Sequence, residues 1–146
     1  MLSWGAYTVV TFVTIAVVIV CVVLHYEALT WLTGLLKRSG EAPRQRILLL
    51  IFAILAVHVI EIWIFGGTYY WMISDAQRGS LVAAYRIELL DCIYFSAVCF
   101  TTLGLGDIVP IGAVRFMTGT EAVCGFVLIA WSGSFTFVEM QRFWKQ

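Results

Sequence analysis

Three stretches of the chain, Gly5 to Leu24, Ile47 to about Phe65 and Ala113 to about Phe137, stay apolar for long enough to cross a bilayer, since a hydrocarbon core of roughly 30 Å takes about 20 helical residues. A fourth apolar stretch starts at Asp91 and lasts about a dozen residues before glycines and an acid interrupt it, too few to span. Hydrocarbon offers a bare peptide group no partner, so a single crossing segment must be a helix. The expected fold is therefore an all-α membrane protein with three transmembrane helices and one segment accommodated in another way. Composition agrees, with 62% of the 146 residues hydrophobic, 12% charged and a mean hydropathy of +0.95, far from a soluble domain. A net charge of +0 supplies no basic field for nucleic acid.

The linker "KRSGEAPRQR", residues 37–46, carries four basic residues against one acid, with Gly40 and Pro43 to stop helices; the positive-inside rule assigns it to the cytoplasm. Arg142 and Lys145 mark the same side, so three crossings leave the N-terminus outside a multi-pass cell-membrane protein. Trp4 and Tyr7 at one end of the first run and Tyr26 and Trp31 at the other suit residues seated at membrane interfaces. "EALTWLTGLL" after that run either extends the helix or lies along the interface. No cationic leader or cleavage site precedes the first run, which is expected to be retained. Ser74 to Leu90 is a polar external loop with room for a short helix through "LVAAYRIELL". Cys21, Cys92, Cys99 and Cys124 share no metal-ligand spacing and read as packing residues.

Both flanks of the short apolar stretch lie on the outer side, so it must enter the membrane and return. Irregular backbone at that depth survives only inside protein or beside a water-filled path. Asp91 reads as the N-cap of a helix reaching about Thr101, whose C-terminal end, effectively about half a negative charge, favours a cation. Beyond it, Gly104 and Gly106 alternate with Leu103 and Leu105. Carbonyls that point one way require alternating handedness, which glycine adopts cheaply. With the two leucines turned away, the carbonyls of Thr102, Leu103, Gly104 and Leu105 and the Thr102 hydroxyl form one wall of oxygen rings that replace a cation's hydration shell. Several copies around an axis are needed to complete them.

"DCIYFSAVCFTTLGLGDIVP" resembles the pore loop of the potassium channel family, whose signature is TTVGYGD. The shared features are the aromatic pair Tyr94 and Phe95, Thr101 and Thr102, both glycines, Asp107 and Pro110. The resemblance implies a homotetramer in membrane lipid, with a selectivity filter of Thr102, Leu103, Gly104, Leu105 and Gly106 that binds K+ at Thr102 to Leu105. Thr101, Asp107, Tyr94, Phe95 and Val98 would support it. It divides the chain into an additional N-terminal transmembrane helix (1–36), the cytoplasmic linker (37–46), a pore domain (47–137) and a short cytoplasmic tail (138–146). Within the pore domain the implied parts are an outer helix (47–73), external loop (74–90), pore helix (91–101), filter (102–107) and inner helix (113–137). Two positions depart from the family. Leu105 replaces a tyrosine that braces the filter, and Val98 stands where some members hold a carboxylate paired with the aspartate, so Asp107 needs another partner or water.

His58 and Glu61, three residues apart on one helix face, lie ~18 and ~22 Å beyond Arg46 at the helical rise. Glu121 falls at a similar depth, and the two acids either share a proton or bracket the back of the filter. Intramembrane ionisable residues are functional candidates, and these three are expected to tune gating by external pH. Gly125 is a site of either close packing or hinge bending in the third crossing. No helix carries arginine at every third position, and too little chain follows Phe137 for a ligand-binding domain. Catalysis has no support: there is no nucleophile–base pair and no phosphate loop, and neither a cofactor nor a small-molecule substrate is implied, K+ being the permeant ligand. The function expected is passive K+ conduction, not enzymatic turnover; the alternatives are a weakly selective cation channel and a non-conducting membrane subunit or sensor.

Overall fold

In a computed structural model describing residues 4–38 and 43–144, the chain forms α1 (Trp4–Arg38), α2 (Pro43–Ile73), β1 (Ser80–Val82), α3 (Leu89–Phe100), β2 (Val109–Ile111) and α4 (Val114–Trp144). Three of these helices, α1, α2 and α4, are long and apolar enough to cross a membrane. They remain apolar on their outer faces, where Phe12, Ile19, Phe52, Trp63, Val123 and Phe126 are exposed, as suits a helix solvated by lipid.

Several boundaries differ from those the sequence suggests. Helix α1 runs unbroken through "EALTWLTGLL", which decides for extension over an interfacial turn. Of the linker 37–46, both ends are helical and residues 39–42 lie outside the described residues; Pro43 opens α2, where its missing N–H costs nothing. Helix α4 continues past Phe137 through most of the expected tail, because "EMQRFW" contains no breaker and Glu139 and Arg142 form an i,i+3 ion pair of 2.6 Å. Residues 145 and 146 lie outside the described residues.

The stretch "LVAAYRIELL" does not form a helix of its own. Ser80–Val82 pairs antiparallel with Val109–Ile111, in the register Ser80↔Ile111, Leu81↔Pro110 and Val82↔Val109. β-Branched residues flank Pro110 on the ribbon, whose two strands are both edges, the setting in which a strand tolerates proline. Asp91 is not the N-cap of α3. The helix begins earlier, with Glu88 as N-cap and Asp91 at the third helical position. Asp91 Oδ2 accepts the Glu88 N–H at 2.8 Å, one half of a capping box that satisfies donors the helix start leaves bare.

The interior is layered along the lengths of the three long helices. One apolar cluster surrounds α3 and includes Val10 and Cys21 of α1, Phe65, Tyr69 and Met72 of α2, and Met117, Cys124 and Leu128 of α4. A second, made of Leu29, Leu32, Leu50 and Ile54 with Phe135 against it, lies toward the other end. Between them in all three helices stands a polar layer: His25, then His58 and Glu61, then Ser132.

Two glycines bring α3 within reach of its neighbours. A Cβ on Gly66 of α2 would lie 2.7 Å from Ile93 Cα, and a Cβ on Gly125 of α4 would run into the Phe100 carbonyl oxygen and come within 2.8 Å of Phe100 Cα. Gly125 is thus a packing residue beneath the end of α3, and α4 passes through it unbroken. Gly66→Ala is expected to destabilise the protein by about 1–3 kcal/mol, as overpacking does. Gly67→Ala, whose Cβ meets nothing within 4 Å, should be neutral or stabilising by up to about 1 kcal/mol. Thermal unfolding in detergent compares the two.

Candidate functional site

Helix α3 ends in a Schellman motif. Thr102 N–H donates to the Cys99 carbonyl at 2.9 Å and Leu103 N–H to the Val98 carbonyl at 3.0 Å, the two closing bonds of that motif around a left-handed residue. The left-handed residue is Thr102, at φ 58. Gly104 N–H also reaches the Val98 carbonyl at 3.3 Å, and the Thr101 N–H and hydroxyl both reach the Ala97 carbonyl, at 3.1 and 2.7 Å. The last turn of α3 therefore has its carbonyls at 97, 98 and 99 bonded.

Positive φ recurs at Gly104 (59) and Gly106 (79), whereas Leu103 and Leu105 lie on the ordinary side. The backbone thus alternates in handedness from Thr102 to Gly106, one residue earlier than the glycines alone indicate. Residues 101–107 are exposed along their length and Ile108 is buried. Val98 is a buried apolar residue that contributes its carbonyl to the turn. Asp107 finds its partner in Tyr94, whose Oη donates to Oδ2 at 2.8 Å. Phe95 stands edge-on to Tyr69 at 5.1 Å, which locks α3 to α2.

Glu121 and Glu61 are both fully buried, and each has its own partners. Tyr69 Oη donates to Glu121 Oε2 at 2.6 Å, and Ser96 Oγ lies 2.5 Å from Glu121 Oε1 and 2.9 Å from the Ile62 carbonyl. Ser96 has one proton for those two acceptors; a proton on Glu121 Oε1, donated to Ser96, completes the count. This network joins α2, α3 and α4.

Glu61 receives His25 Nδ1 on Oε1 and His58 Nδ1 on Oε2, both at 2.9 Å. With Glu61 a carboxylate, both ring nitrogens donate, and Ser132 Oγ then donates to His25 Nε2 at 3.1 Å. The two imidazoles stack at 5.3 Å, and His58 meets Phe100 edge-on at 5.8 Å, which ties the polar layer to the end of α3. The His25 and His58 nitrogens and a Glu61 oxygen lie within 4.8 Å of one another, a donor set able to hold a metal ion.

Sequence reasoning brought out His58, Glu61 and Glu121 but not His25, Tyr69, Ser96 or Ser132. His25 falls one residue past the apolar run that defined the first crossing, outside the stretch expected to span. Only the packing of α1 against α2 carries it to Glu61. A histidine in an otherwise apolar helix was the one available signal.

A family model described as an ion channel matches residues 46–142, which takes in α2, α3 and α4 and leaves α1 outside. Neither the curated proteins nor the solved structures contain a match.

Tyr69→Phe deprives buried Glu121 of a donor and is expected to cost about 1–3 kcal/mol. Tyr70→Phe, at its exposed neighbour, should stay within about 0.5 kcal/mol. Denaturation of the two variants in the same detergent makes the comparison.

Proposed function

Because this chain belongs to an ion-channel family, we propose that four copies assemble around an axis as a potassium-selective channel, each contributing Thr102, Leu103, Gly104, Leu105 and Gly106 to the filter. The observation that carries this reading is the alternating handedness from Thr102 to Gly106, the backbone condition for a row of carbonyls on one side. Such a row puts carbonyl oxygens in place of the water shell that K+ sheds on entry. The C-terminal dipole of α3 adds to the attraction.

The need for further copies is supported by Leu103 and Leu105, 63% and 58% exposed in the single chain. Burial of each against a neighbour contributes about 1.5–3 kcal/mol. Thr101 and Asp107 support the filter from behind, and the Tyr94–Asp107 bond does part of the bracing that tyrosine performs at position 105 in the resembling family. In the proposed topology the linker at 37–46 and the C-terminus are cytoplasmic and the N-terminus is outside. His58 and Glu61 adjust opening with pH through the polar layer, which touches Phe100 at the foot of the filter, and Glu121 does so through Ser96 of α3.

Purified protein in liposomes is expected to pass K+ with Na+ flux lower by about tenfold or more. Comparable fluxes would favour a weakly selective cation channel, and absence of flux together with a particle lacking a fourfold axis would favour a non-conducting subunit. Gly104→Ala, which forces a side chain onto φ 59 at a cost of about 1–2 kcal/mol per copy, should abolish flux while Gly67→Ala leaves it intact. Glu61→Gln is expected to flatten the current's response between about pH 5 and 8, the histidine range; an unchanged response removes the pH role.

A further inference from the structure

We propose that His25, His58 and Glu61 form a binding site for one divalent transition-metal ion, zinc foremost, which fastens α1 to α2. The site is separate from the filter and does not rest on the conduction reading. Two imidazoles and a carboxylate are the donors that suit zinc and its neighbours; K+, Mg2+ and Ca2+ take oxygen shells instead. The ligand atoms already converge, with each Nδ1 2.9 Å from a Glu61 oxygen and all three donors within 4.8 Å. A tetrahedral zinc bound to nitrogen and oxygen at about 2.0–2.2 Å spaces its ligand atoms roughly 3.3 Å apart. Each nitrogen-to-oxygen distance lengthens by a few tenths of an ångström, and the donor atoms, now spread over as much as 4.8 Å, draw together around the ion.

The surroundings fit an ion as well. To coordinate through Nδ1, each imidazole must carry its proton on Nε2. For His25, that proton meets Ser132 Oγ, 3.1 Å away, whose hydroxyl accepts as readily as it donates. Ser132 then holds the ligand in its coordinating tautomer, the usual work of an outer-shell partner. His58 keeps 13% of its side chain exposed and lines a mostly apolar groove of about 370 Å³ between α2 and α4, together with Ile54, Leu55, Ile129, Ser132 and Phe137. With neutral imidazoles, binding shifts two protons from Nδ1 to Nε2 and releases none; an imidazolium in the cluster gives up its proton. Acid therefore weakens the site.

The test uses the full chain in detergent, stripped with a chelator and then dialysed against zinc. One zinc per chain, a melting temperature raised by zinc and lowered again by chelator, and an affinity loss of about a hundredfold or more in both His58→Gln and Glu61→Gln are the expected results. Ser132→Ala should lose about tenfold, the scale of an outer-shell partner. His58→Gln keeps a donor for Glu61 and serves as the folded reference by its elution volume, so a Glu61→Gln variant that fails to fold leaves the outcome decidable. Absence of stoichiometric zinc in the wild-type chain, or wild-type affinity in His58→Gln, overturns the assignment.

Discussion

A peptide group without a hydrogen bond costs several kcal/mol in hydrocarbon, and each element of this chain can be traced to that cost. Helices α1, α2 and α4 meet it internally. At the end of α3, where the backbone leaves the helix, the carbonyls of Ala97, Val98 and Cys99 take up the N–H groups of Thr101 to Gly104. Farther on, the chain returns to α4 through a ribbon with β1. The left-handed turn at Thr102 begins as a helix stop, and its handedness alternation then runs on through Gly104 and Gly106. One local solution to a bonding problem thus starts the irregular backbone that gives the chain its most distinctive surface.

Two carboxyl groups inside apolar helices pose the second problem. Each is met by two hydrogen-bonding partners drawn from more than one helix: Tyr69 and Ser96 for Glu121, His25 and His58 for Glu61. Loss of one partner leaves a buried polar group unsatisfied at a cost of about 1–3 kcal/mol, so these contacts fix the relative heights of helices whose lipid-facing sides would tolerate sliding. The polar layer between the two apolar clusters acts as a register mark for α1, α2 and α4. It also joins α1, which lies outside the family match, to the part of the chain inside it.

Close approach is the third condition. Helix α3 sits between α2 and α4 because Gly66 and Gly125 present bare backbone to Ile93 and Phe100. Seated there, α3 brings Ser96 to Glu121, and the Phe100 ring comes to His58.

The sequence by itself determined the three crossings, the short fourth helix and the glycine alternation at 104 and 106, because run length, breaker residues and the left-handed preference of glycine are local properties. It also marked Glu61 and Glu121 as acids out of place in an apolar setting. Only the tertiary structure decided what those acids touch, that His25 and Ser132 join Glu61, that Tyr94 answers Asp107, and that residues 80–82 pair with 109–111 instead of coiling into a helix. The physical reason is that a hydrogen-bond partner across helices depends on how the helices dock, and docking here follows from glycine contacts and buried pairs between residues 25 to 107 positions apart.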